Sequence, residues 1–156
     1  MLPLVVLRRF DCVLADSKPK VLKEFERRKG GKLEDDALDR TLNKVAGHRF
    51  HNHSQLDFEK LKGDPDNIHS HLTNYINGFS ANVRRIFEYF EFGAEMERMH
   101  EANILFLVIK EMAKVDLHPD KVKNDQMGMI FIAEPPGPAS HRHAEDRPEL
   151  RRATAG

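Results

Sequence analysis

The chain has 156 residues with 25 Lys plus Arg against 25 Asp plus Glu, the size of one small domain with no net formal charge, which excludes whole-molecule attraction to DNA or anionic lipid and leaves any nucleic-acid contact to a local patch. Cys12 is the only cysteine, so neither an internal disulfide framework nor a multi-cysteine zinc site is available. The apolar start Met1-Leu-Pro-Leu-Val-Val-Leu ends at Arg8-Arg9 with no basic segment before it and no cleavage site after it, and no run is long enough to cross a bilayer, so the chain is expected in the cytoplasm without membrane contact.

Residues 2–15 fit a helix with Val6, Phe10, Val13 and Leu14 on one side. Asp11 stands three residues from Arg8, within ion-pair reach, and Cys12 falls in the apolar pattern as a buried, inert thiol. Ser17 can cap a second helix through Lys29, with Val21, Leu22 and Phe25 as a narrow apolar stripe and a strongly basic remainder. Gly30-Gly31 breaks it. Glu34-Asp35-Asp36 then supplies acidic residues to the first turn of a third helix, where the helix dipole favours them; Leu38, Leu42 and Val45 form its buried face and Gly47 ends it. From His48 to Ser54 the period is lost, leaving an extended turn or a short strand. A short helix over 56–61 follows.

Asp64 and Pro65 suit the start of the next helix, where Ile68, Leu72, Tyr75 and Ile76 recur at i, i+4, i+7 and i+8. Gly78 is expected to stop it in the left-handed conformation. Ser80 caps a further helix with Val83, Ile86, Phe87 and Phe90 as its stripe. After Phe92-Gly93, one helix is expected to run through Val115 with Ile104, Leu107, Val108 and Met112 inward, ending before Leu117-His-Pro. Residues 132–156 carry four prolines and no apolar period, the composition of a disordered tail. The expected fold is all-α, an irregular helical bundle with at most a short strand pair near residues 49–54.

Four strings carry a family resemblance: LPLVVLRRFDCVL at residues 2–14, KGGKLEDDALDRTLNKVAGHRFHNHSQLDFEKL at 29–61, KLKGDPDNI with YINGFSANVRRIFEYFEF through Phe92, and the segment ending NDQMGMIF at 124–131. Together they resemble the amino-terminal region of the modification (DNA methyltransferase) subunit of type I restriction–modification systems. The resemblance implies a helical domain over residues 1–131, incomplete at both ends, because family members carry a helical segment upstream and lead downstream into the methyltransferase domain. Residues 132–156 depart from that pattern, as a frameshift or fusion scar would.

The resemblance also implies a family reaction, methyl transfer from S-adenosylmethionine to the adenine amino group in DNA, and as partners DNA, a specificity subunit and a restriction subunit. Such a methyltransferase needs a glycine-rich loop after a strand and an Asn/Asp-Pro-Pro-aromatic segment. Here Gly30-Gly31 lies between helices, and Pro135-Pro136 stands between Glu134 and Gly137. No catalytic, cofactor-binding or metal-binding residue is therefore assigned to this chain, and it is expected to be inactive alone, with S-adenosylmethionine belonging to the intact family.

His51-Asn52-His53 is contiguous, unlike the separated letters of a ββα-metal nuclease. With His48, these histidines read as hydrogen-bonding or surface groups, a metal site being the alternative. The candidate DNA or partner contacts are Arg27, Arg28 and Lys29 in the basic second helix and Arg84 and Arg85 beside the stripe of the sixth; a solvated helix face is the competing reading. Arg8-Arg9 can equally brace neighbouring helices. The expected role is a DNA-clamping and subunit-interaction module without catalysis of its own; the alternatives are a stand-alone regulatory or interaction protein and a non-functional gene fragment.

Overall fold

A computed structural model describes residues 2–31 and 33–127, which fall into two units, Met1–Val122 and Lys123–Gly156. In the first, eight α-helices are described: α1 (Leu2–Leu14), α2 (Lys18–Arg28), α3 (Asp35–Ala46), α4 (Phe58–Leu61), α5 (Ile68–Asn77), α6 (Ala81–Tyr89), α7 (Phe92–Glu101) and α8 (Leu105–Ala113), with a 3₁₀ turn at Pro65–Asn67 before α5. The all-α reading holds. Among the described residues, one isolated antiparallel bridge, Asn52 to Phe79, stands in place of a strand pair. In the second unit the described residues 123–127 make one helical turn, closed by Met127 N–H donating to the Lys123 carbonyl at 2.9 Å. The expected tail, and the boundary at 131, lie outside the described residues.

The first unit is built around α1. Leu4, Leu7, Cys12 and Leu14 are buried while Val6 and Phe10 are partly so, so α1 is apolar on more than the one face its periodicity indicated, as befits an interior helix. Burial also raises the Cys12 thiol above its usual range. The Phe10 ring meets Phe50 (4.7 Å between centroids), Phe79 (6.2 Å) and Phe87 (6.3 Å). From the same helix, Asp11 accepts the Tyr75 hydroxyl proton at 2.8 Å. Elsewhere the inward faces follow the expected stripes, with Val21, Leu42, Ile68, Leu72, Tyr75, Val83 and Phe87 all buried.

Several local expectations change. The single helix expected after Phe92 is two helices, because Asn103 adopts the left-handed conformation (φ 61°), which asparagine tolerates better than most L residues. The break resets the register: Leu105, Ile109 and Ala113 turn inward, and Ile104 and Leu107 are left 42% and 55% exposed. Ile86, expected in the α6 stripe, is 38% exposed. The caps also differ. Ser80 precedes α6 without capping it; the carboxylate of Asp39, from α3, accepts the Ala81 N–H at 2.9 Å. Asp64 likewise bonds side chains, Asn67 and His71, each at 2.9 Å, and Ser17 makes no cap bond.

Candidate interaction surface

The basic residues predicted on α2 are exposed or half-exposed at its last turn, where cations suit the dipole, but they are already paired. Arg27 donates to both oxygens of Glu24, at 2.7 and 3.1 Å, and Arg28 also bonds Glu24. Lys29 stands 3.9 Å from Glu26. The hydrogen bonds from Arg27 and then Arg28 hold the Glu24 carboxyl down to about 2. These pairs are at i,i+3 and i,i+4 spacing, so the sequence already contained them.

Arg84 and Arg85 are different. Both are exposed on α6, and among the described residues neither has an ion-pair partner, although Glu88 follows on the same helix. Arg84 lines a cavity of about 250 Å³ whose other walls include Thr73, Ile76, Phe87, Phe92 and Met96. On the flank beside it, Asn82 donates to the Arg49 carbonyl at 2.9 Å, and Arg85, Ile86 and Tyr89 succeed Asn82 at i+3, i+4 and i+7, all exposed. Among the described residues, no hydrogen bond or ion pair joins the α2 group to the α6 group.

What orients α6 is a polar junction that sequence reading missed. His51 is buried, and its Nδ1 donates to Asn43 Oδ1 at 2.8 Å. Ser80 N–H donates to the His51 carbonyl at 3.0 Å, and His51 N–H donates to Ser80 Oγ at 3.3 Å. The Gly78 carbonyl accepts both the His53 N–H (2.8 Å) and His53 Nδ1 (3.1 Å). Asn52 donates to the Tyr75 carbonyl at 2.8 Å while its Oδ1 accepts from Ser54 N–H. The histidines thus lock the 48–54 segment onto the α5–α6 turn. Short polar side chains around an aperiodic stretch were the available signal, but apart from Asn43 their partners lie 23 to 29 residues away.

Burial, with His53 nearby and opposed by Asp39, pulls the His51 imidazole down to about 4; burial also lowers His53. A neutral buried His51 makes the fold acid-sensitive. The unfolded chain takes up this proton as pH falls below about 6.5 while the folded state refuses it until about 4, so the stability present above 6.5 is lost across that window. At pH 5 the expected loss is about 2 kcal/mol from His51 alone. Urea midpoints at pH 7.5 and 5 should show it, and a His51→Gln variant, less stable at pH 7.5, should lose most of the difference. Asp11, raised by burial, acts in the opposite sense and His53, lowered by burial, in the same one, so the comparison decides: a His51→Gln variant whose midpoint changes between the two pH values as much as that of the wild type would reject the assignment.

With this geometry established, family comparison decides the relationship: the family described as the HsdM N-terminal domain matches residues 1–112. The chain belongs to that family. This HsdM N-terminal domain places it among the modification subunits of type I restriction–modification systems, and the match takes in α1 to α7 and nearly all of α8. No curated protein and no solved structure matches the chain. Among the described residues of this HsdM N-terminal domain, no helix is long and apolar enough to cross a membrane.

Proposed function

We propose that this chain is the helical clamping module of a type I modification methyltransferase, contacting DNA phosphates through Arg84 and Arg85 on α6 and taking no part in methyl transfer. S-adenosylmethionine and the reacting adenine belong, in this reading, to residues outside the chain. The specificity and restriction subunits are the partners with which it assembles in the cytoplasm. One observation carries the assignment to α6: its two adjacent arginines are exposed without a carboxylate partner among the described residues, whereas Arg27 and Arg28 share Glu24 and Lys29 stands near Glu26. An arginine already held by a carboxylate must give up that bond before it meets a phosphate.

Duplex DNA binding measured by fluorescence anisotropy over a salt series tests this. Affinity should fall steeply with salt, and the Arg84→Ala/Arg85→Ala double variant should weaken binding and reduce the log–log salt slope by about 2. Arg27→Ala/Arg28→Ala should change the slope by less than half as much. The α6 assignment is rejected if the α2 variant loses more, and DNA contact itself is rejected if the wild type shows no salt-dependent binding.

A further inference from the structure

We propose that the cavity between the end of α1, the start of α2 and the α4 segment is a binding site for a free apolar α-amino acid in its zwitterionic form. The cavity measures about 220 Å³; since about 150 Å³ suffices for benzene, this one has room for a ligand of roughly ten heavy atoms. Leu14, Ala15, Pro19 and Leu22 form its apolar wall. The polar wall is Asp11, Lys18, Asn52, Asp57, Lys60 and Tyr75, and its hydrogen bonding determines what can enter.

Part of that wall is closed. Asp11 receives the Tyr75 hydroxyl on one oxygen and Arg8 Nη1 on the other, at 2.8 and 2.9 Å. Asn52 uses its amide nitrogen on the Tyr75 carbonyl and its oxygen on Ser54 and Lys18. The rest is open. An ammonium has three donors; Lys18 uses two, on Asn52 Oδ1 (3.2 Å) and the Leu56 carbonyl (2.9 Å), and also lies over the Tyr75 ring, 5.4 Å from its centroid, whereas Lys60 uses one, on the Gln55 carbonyl (2.9 Å). Asp57 accepts Lys60 N–H on Oδ1 at 2.8 Å, and its second oxygen has no hydrogen-bond partner among the described residues.

Unused capacity of both signs therefore borders an apolar pocket. A simple carboxylic acid would leave Asp57 facing it unpaired, and a simple amine would face two ammonium groups. A molecule carrying one carboxylate and one ammonium on an apolar body answers both and adds no net charge to a partly buried site. The site also has a proton linkage: burial holds the Lys18 ammonium down to about 8, and a ligand carboxylate beside it favours the charged form. Binding should then take up protons near pH 8 and weaken as pH rises beyond it.

Calorimetric titration of the full chain with L-leucine and with L-phenylalanine tests the site, with leucinamide and N-acetyl-leucine as probes lacking one charge each. At least one amino acid should bind saturably at pH 7, and leucine, or the phenylalanine counterpart set, should weaken about tenfold or more on loss of either charge. Lys60→Gln should weaken binding similarly, and Ala15→Leu, which fills the cavity from its exposed wall, should abolish it. Both positions are exposed, and circular dichroism confirms that each variant is folded. Any one of three results overturns the proposal: no saturable binding of either amino acid at about 10 mM, blocked analogues binding as well as the free amino acid, or Ala15→Leu binding like wild type.

Discussion

Gly78→Ala should destabilise the fold by about 3 kcal/mol, read as a fall in the urea midpoint, although nothing in the backbone demands glycine there. Gly78 has φ −78° and ψ −10°, the right-handed helical region, not the left-handed conformation expected of a glycine after a helix. Alanine at such a position ordinarily stabilises, by restricting the unfolded chain. Here an added Cβ meets Ser54 Cβ at 2.6 Å, Ser54 N at 2.8 Å and Asn52 Oδ1 at 3.0 Å. Those atoms cannot withdraw cheaply. Ser54 N–H is bonded to Asn52 Oδ1 at 2.8 Å, the same oxygen takes Lys18, and Gly78's own carbonyl holds His53. Moving any of them opens the junction between the 48–54 segment and the α5–α6 turn. Gly93→Ala is the internal control: it lies in the first turn of α7, exposed, with nothing within 4 Å of the added carbon, and should be neutral or stabilising by up to about 1 kcal/mol. Equal effects at the two positions would show that the close approach at Gly78 is not what selects glycine.

The contrast between these glycines marks what the sequence made legible. Helices and their inward stripes follow from local periodicity, so α2, α3, α5 and most of α6 could be read residue by residue. Glycine's two uses, backbone freedom and close approach, look alike in sequence; Gly47 takes the first (φ 76°) and Gly78 the second. The α7–α8 break was missed because its signal is a single Asn103, and the apolar pattern continues across it in a register the break then changes. Long-range polar partners were beyond reach, as with Asp39 capping α6 from 42 residues away. For the candidate surface, the type of the five basic residues was legible, and the i,i+3 and i,i+4 spacing of Arg27 and Arg28 from Glu24 already held their local pairing.

Arg9→Ala should be at least as damaging, with an expected loss of about 3–5 kcal/mol. Arg9 is only 8% exposed, and its Nη1 donates to the carbonyls of Leu117 and Val122, each at 2.6 Å. Arg8, the next residue back, donates to the carbonyls of Val115 (2.8 Å) and Ala113 (3.0 Å). The adjacent arginines therefore brace the helices, one of the two readings open from sequence, but through backbone carbonyls as well as an ion pair. Arg8 thus meets the end of α8 at Ala113, where a helix leaves its last oxygens without partners and a cation is electrostatically favoured, while Arg9 holds carbonyls of the segment that follows. Truncating Arg9 removes a charged donor from two carbonyls at once and leaves both oxygens short of a partner in a largely buried place. Arg9→Lys should recover less than half of the loss, because both carbonyls are bonded by the one terminal nitrogen Nη1, and the shorter lysine side chain stops short of that position with a more strongly hydrated ammonium. Since both acceptors lie in residues 117–122, amide exchange of that segment should accelerate in Arg9→Ala before the core of α5 opens. Should the segment keep its protection while the urea midpoint falls, the loss lies in packing around α1 and the carbonyl bonds contribute little.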